Sequence, residues 1–176
     1  MWLPPTLKTR RLTLRGLTTE DAEAIFSYAR NPNVALYTMW DSHQSLKETQ
    51  DFIQNYVLSN YQNKIPEPFA IINESQQLIG TVGCFKVKNH SMELAYALAE
   101  SEWGKGYVVE AAREVIKFCF EEYGIERIQC RCKAENIQSE RVMQKLGMIY
   151  EGTLRSDVYH RERFWDMKYY SILKDK

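Results

Sequence analysis

The chain has 176 residues, 44% of them hydrophobic and 26% charged, a balance that suits one globular domain with a full core and excludes fibre and disorder. Its 23 Lys and Arg residues match its 23 Asp and Glu residues, so no global basic field exists to hold nucleic acid or an anionic membrane surface. No apolar run suits a signal peptide or a membrane span, which points to a cytoplasmic protein with no direct nucleic-acid or membrane partner.

Residues Arg10 to Gly16 alternate as an edge-like strand should. Thr18-Thr19-Glu20-Asp21 then supplies a cap and an acidic first turn for a helix running through Ala29, which Asn31-Pro32 ends. A second helix starts at Ser45, where Ser45 and Glu48 have the spacing of a capping box, and it buries Leu46, Phe52, Ile53, Tyr56 and Val57. Between the two lies a segment containing Tyr37, Met39 and Trp40, too apolar for an idle loop. It either packs under the second helix or forms a wall of a binding groove.

Strands follow at Phe69 to Asn73 and Leu78 to Lys88, with Gly80 and Gly83 marking a bulge or a close approach. Met92 to Ala99 alternates strictly. Met92, Leu94, Tyr96 and Leu98 face one side, and Glu93, Ala95, Ala97 and Ala99 the other. The alanines leave room for something to lie against the sheet, and Glu93 is out of place there unless it is solvated or working.

Gly104 and Gly106 open a turn that feeds a helix with Val108, Ala112, Val115, Ile116, Cys119 and Tyr123 on its apolar side. Helix-initial N–H groups lack internal partners and sit at the positive end of the helix dipole, so a glycine turn at that point is either a phosphate site or a plain flexible entry to the helix. Neither GxxxxGK[ST] nor GxGxxG fits, because Val109 stands where the dinucleotide fingerprint needs its third glycine. A strand from Arg127 to Lys133 and a helix from Asn136 to Leu146, stopped by Gly147, complete a βαβα unit. Ile149 to Asp157 and Phe164 to Leu173 read as a closing hairpin, joined by an exposed VYHRER connection. Cys84, Cys119, Cys130 and Cys132 have no second Cys/His pair at ligand spacing, so buried free thiols are expected, with no metal and no disulfide.

WGKGYVVEA, followed some two dozen residues later by ENIQSERVMQKLGM, resembles the GNAT superfamily of acetyl-CoA-dependent N-acetyltransferases, and within it the branch acting on ribosomal-protein amino termini. The similarity extends from TRRLTLRGLTTEDA through LIGTVGCF to FWDMKYYSIL, nearly the whole chain. It implies one α+β domain over residues 1–176, with a mixed, mostly antiparallel central sheet of about six to seven strands and helices on both faces. It further implies acetyl-CoA as co-substrate. The pyrophosphate would lie on the turn Trp103, Gly104, Lys105, Gly106, Tyr107 and Val108, and the pantetheine arm would pair with Ala97, Leu98 and Ala99. This chain departs from the wider pattern at Val108, where Gly or Ala is usual, and at Met143, where many members carry an acidic tyrosine. Ser139 matches the serine that the ribosomal-protein branch has one turn earlier, implying a hydrogen bond or proton for the departing thiolate.

The implied chemistry is attack of a neutral amine on a thioester, which needs a base to take the ammonium proton. Glu93, on the strand expected to hold pantetheine, is the candidate, and an ion pair with a nearby Lys or Arg is its alternative role. Asn136 has an amide suited to the pantetheine amides or to a helix cap. Tyr37, Trp40 and Trp165 are candidates for the acceptor site. The expected acceptor is a protein or peptide amino terminus. A small-molecule amine such as a polyamine, an aminoglycoside or an amino-acid derivative is the competing reading, and a non-catalytic acyl-CoA sensor is the reading from another class. The resemblance makes a homodimer reasonable.

Overall fold

The alternation along residues 92–99 is the register of the central strand. The computed structural model describes residues 1–175. Eight strands, β1 (Leu7–Lys8), β2 (Thr13–Gly16), β3 (Phe69–Ile72), β4 (Leu78–Lys88), β5 (Ser91–Leu98), β6 (Arg127–Lys133), β7 (Ile149–His160) and β8 (Arg163–Leu173), form one sheet in the order β1-β2-β3-β4-β5-β6-β8-β7. All neighbours are antiparallel except β5 and β6. The sheet thus has one strand more than the six to seven expected. β1 accounts for the difference, because a two-residue ladder on Thr13 and Leu14 is too short to show a period.

Five helical segments cover the sheet: α1 (Ala22–Ala29), α2 (Leu46–Phe52), α3 (Leu58–Gln62), α4 (Tyr107–Glu122) and α5 (Ile137–Lys145). α2 runs into α3 through a π-helical stretch, Ile53–Val57, making one rod. Ser45 caps it, its hydroxyl accepting from the Glu48 N–H at 3.3 Å, whereas the Glu48 carboxylate reaches the N–H of Gln44 and not that of Ser45. Met92, Leu94 and Leu98 pack under α4 and α5 together with Val115, Cys119 and Met143. Ala97 and Ala99 face the opposite layer, where Ile25, Ile53 and Val57 of α1 and the rod are buried. Along α4 the expected face is buried at Ala112, Val115, Ile116 and Cys119, but at its start Val109 is buried and Val108 only half-buried.

β5 and β6 pair only over Ser91–Glu93 with Arg127–Gln129. Beyond this, β6 continues on β8 through Lys133, and β5 stays on β4 through Leu98, so the sheet splays into a V. From Leu94 to Leu98 one edge of β5 has no strand partner among the described residues. Both strand glycines serve close approach. A Cβ on Gly80 would lie 2.3 Å from the Ala97 carbonyl oxygen, and one on Gly83 would lie 2.7 Å from the Glu67 Cα. The β3–β4 register also shifts beside Gly80, between Ile71 and Ile72. The closing hairpin is tighter than expected. β7 extends to His160, leaving only Arg161 and Glu162 in the turn, both with positive φ as a two-residue hairpin of the primed type demands.

Candidate active site

The mouth of the V opens into a cleft of about 350 Å³ whose walls are β5, the glycine turn and the start of α5. Gly104 and Gly106 take φ of 78° and 80°, left-handed values that a side chain disfavours, and Gly106 is the residue on which α4 begins. The turn is held from outside. Arg11 donates from Nη1 to the Lys105 carbonyl at 2.9 Å and from Nε to Glu110 at 2.7 Å, and Glu110 also accepts from the Arg11 N–H and the Thr9 hydroxyl. Burial opposes ionisation of Glu110, but these bonds outweigh it and hold its carboxyl below the usual range. The result is a helix start whose first N–H groups are fixed in place at the edge of the cleft.

Across the cleft, Asn136 caps α5, its amide oxygen accepting from the Ser139 N–H at 3.1 Å. The Ser139 hydroxyl lies 2.6 Å from the Tyr96 hydroxyl. Burial pushes the Tyr96 phenol well above its ordinary value, so it is a protonated group able to donate. The alternation of β5 assigns Tyr96 to the α4 and α5 side, and only the fold brings its hydroxyl to a helix 43 residues later. Met143 is fully buried in the core.

Tyr96 and Ala97 also line a second cavity of about 430 Å³ on the other face of β5. Its mouth carries a row of four rings, Trp40, His43, Phe52 and Tyr56, with neighbouring centroids 5.7, 6.1 and 5.5 Å apart. His43 hydrogen-bonds Thr49 at 2.7 Å, and burial lowers its pKa, leaving the ring neutral. At the inner end lies Glu67, 7% exposed, the only acidic or basic side chain other than His43 among those lining this cavity. Burial raises its carboxyl to about 7, against the influence of the Tyr56 hydroxyl, which pulls it down. The Asn60 amide lies 3.4 Å from its Oε2. Glu67 is held in place by β4, where the Cys84 N–H donates to the Pro66 carbonyl at 3.2 Å and Gly83 leaves room for the segment. The π-helical stretch that carries Tyr56 is itself a device frequent at functional sites.

The residues singled out from the sequence divide between these spaces. Ala97, Leu98, Trp103, Gly104, Gly106, Tyr107, Val108, Asn136 and Ser139 line the cleft, while Ala99 and Lys105 stand outside its lining. The Lys105 ammonium pairs with Glu102 at 3.0 Å. The Trp103 indole donates to the Leu98 carbonyl at 2.9 Å, tying the turn to the end of β5. Tyr37 lines the cleft and Trp40 the aromatic cavity, so the two are not in one groove.

Glu93 lines neither space. It accepts from Gln129 at 2.8 Å and from Arg131 at 3.0 Å, the ion-pair role set out above as its alternative, because it sits where β5 and β6 are still paired. Trp165 also lines neither. It is buried, donates to the His160 carbonyl, and has Lys133 and Arg163 at 4.1 and 3.7 Å from its ring centroid. The end of β6 and the turn of the same hairpin grip the loop that walls both cavities. Lys133 donates to the Thr38 carbonyl, and Arg161 bonds Asp41 and the carbonyls of Ala35 and Leu36. Glu67 carries no sequence signal of its own beyond an acid flanked by Pro66 and Pro68. All four cysteines are buried and free, no group of metal-binding side chains occurs among the described residues, and no helix is long and apolar enough to cross a membrane.

Comparison with known proteins adds to this geometry. The family profile described as acetyltransferase (GNAT) domain matches residues 11–149. The chain is 31% identical over 175 residues to the uncharacterized N-acetyltransferase YoaA of Bacillus subtilis, covering 98% of each. It is 23% identical over 168 residues to spermidine N(1)-acetyltransferase of Vibrio cholerae, covering 94% of this chain and 95% of that one. Among solved structures, a GNAT-family acetyltransferase from Bacillus anthracis superimposes with a TM-score of 0.88 at 28% identity, covering 98% of this chain and 100% of that one. RimL, a ribosomal L7/L12 alpha-N-protein acetyltransferase in complex with coenzyme A, gives 0.85 at 20% identity over 98% of each, a likeness of fold. On the family match and the full-length relative together, this chain belongs to the GNAT family of N-acetyltransferases.

Proposed function

We propose that the protein transfers the acetyl group of acetyl-CoA to a primary amine at a protein or peptide amino terminus. The observation that carries this reading is the meeting of two cavities at Tyr96 and Ala97, one on each face of the splayed strand. A thioester held in the cleft and an amine held in the aromatic cavity would meet there, as a direct transfer requires.

In this reading the N–H groups of the turn from Trp103 to Val108 receive the pyrophosphate, and the unpaired end of β5 at Ala97 and Leu98, with Ala99 just beyond it, pairs with the pantetheine amides, assisted by Asn136. The CoA complex of the RimL fold neighbour supports this use of the cleft. The Ser139 and Tyr96 hydroxyls, 2.6 Å apart, form the donor pair that serves the departing thiolate in place of a tyrosine at Met143. The largely apolar second cavity suits a peptide end better than a polycation.

The test is release of free thiol from acetyl-CoA by the purified protein against short peptides, polyamines and aminoglycosides, with acceptor-free hydrolysis as control. Release that depends on peptide supports the reading. Release at the background rate with every acceptor, despite calorimetric binding of acetyl-CoA, would favour the sensor.

A further inference from the structure

We infer that the acceptor is a singly charged primary amine carried on an apolar or aromatic body, and that the Glu67 carboxylate receives its ammonium group and takes its first proton. This rests on the transferase reading above and narrows it. The aromatic cavity is lined by four rings in a row and by Ile25, Tyr28 and Met39, with one carboxylate at its inner end. An apolar body buries its surface on those rings, while the ammonium gains both the ring faces and the carboxylate. At about 430 Å³ the space takes a bulky side chain together with the amine.

Charge complementarity disfavours the polycationic members of the competing small-molecule class. A polyamine or aminoglycoside would carry further cations into a lining whose only carboxylate is Glu67, and a buried cation without a partner is strongly disfavoured. Glu67 is equally in need of a partner when ionised. Its neighbours are the Tyr56 hydroxyl and the Asn60 amide, and no Lys or Arg pairs with it among the described residues.

The step balances without any further reactant. Glu67 accepts one proton from R–NH3+, and the freed nitrogen lone pair forms a C–N bond to the thioester carbonyl carbon. Collapse breaks the C–S bond, the sulfur leaves with that electron pair, and the second nitrogen proton reaches the thiolate through the Ser139 and Tyr96 hydroxyls. The products are the amide and coenzyme A thiol, and Glu67 returns its proton to solvent.

The titratable groups facing Glu67 do not compete with it near neutrality. Tyr28 of α1, Tyr56 and Tyr61 of the rod, and Cys84 of β4 are all pushed above their ordinary values, chiefly by burial for the phenols and by the Cys119 thiol for Cys84. His43 is pushed below its own, so the carboxylate titrates at about 7 among neutral neighbours.

The experiment compares thiol release from acetyl-CoA with 2-phenylethylamine and peptides beginning in Phe or Leu against peptides beginning in Ser or Asp and against spermidine. We expect kcat/KM to favour the apolar set by roughly tenfold or more. Glu67→Gln should lower it by about a hundredfold and remove an inflection near pH 7, with calorimetric acetyl-CoA affinity unchanged. Tyr56→Phe, which deletes the hydroxyl that pulls the carboxyl down, should move that inflection upward and provides a second reading if Glu67→Gln does not fold. Equal or better use of spermidine or of the polar-headed peptides overturns the acceptor class and leaves the transferase standing. An unmoved pH profile in both variants overturns the role of Glu67, and absence of release from every amine overturns the transferase reading as well.

Discussion

Replacing Glu67 by Gln has a thermodynamic signature independent of catalysis. The unfolded chain releases this proton near the ordinary 4.5, and the folded chain releases it at about 7. Between those values the unfolded state binds fewer protons, so stability falls as pH rises, and the loss is complete once pH passes the folded value. A shift of about 2.5 units corresponds to roughly 3 kcal/mol, of which about 2–3 kcal/mol falls between pH 5 and pH 8. Glutamine occupies the same volume and has no charge to desolvate, so the variant escapes this penalty. Paired urea unfolding of both proteins at pH 5 and pH 8 measures it. The difference in unfolding free energy should move by about 2–3 kcal/mol in favour of Glu67→Gln on going to the higher pH. A difference that is the same at both pH values would refute the burial argument, and with it the account of why this carboxylate is a competent base. Loss of the Tyr56 hydroxyl, which favours the ionised carboxyl, would move the difference the opposite way at pH 8 and so cannot mimic the result.

Gly106→Pro should abolish calorimetric acetyl-CoA binding, since proline cannot adopt φ of 80° and removes an N–H from the turn; retained affinity would sink the phosphate-site reading. Arg11→Gln loosens the same turn at a half-exposed position, so about 1 kcal/mol of affinity, or a several-fold rise in Kd, is expected, with kcat little changed. Gly83→Ala puts a methyl 2.7 Å from the Glu67 Cα and the Pro66 oxygen, which should cost about 1–3 kcal/mol in urea unfolding and lower turnover by displacing the carboxylate. Ser139→Ala should lower kcat while leaving acetyl-CoA affinity near wild type; unchanged turnover would remove the hydroxyl pair from the thiolate side.

Local pattern carried most of the fold. The period-two run at Met92 to Ala99, the capping residues at Thr18 and Ser45, and the glycine turn before α4 all appear at their expected places, since each depends on neighbours within a few residues. Gly80 and Gly83 were legible as points of close approach, though not what approaches them. The face of α4 was misjudged at its start, at Val108, because a valine pair fits either the core or the cleft, and only the packing of β5 chooses. Arg11 gave no functional hint, being one basic residue in an alternating strand whose partner lies 99 positions away.

Glu93 and Glu67 show where sequence reasoning stops. Both are acids beside apolar neighbours, and the alternation of β5 made Glu93 the natural candidate. The point at which β5 and β6 part sets their surroundings: Glu93 lies before the split, within reach of Arg131, whereas Glu67 arrives from another segment through the gap left by Gly83. The sequence by itself determined the glycine turn and the layers, because these rest on backbone geometry and periodicity that a few neighbouring residues dictate, and its motifs carried the resemblance to the family. Only the tertiary structure decided which carboxylate is left without a cation and which phenol meets Ser139, because burial and charge pairing depend on residues brought together from distant parts of the chain.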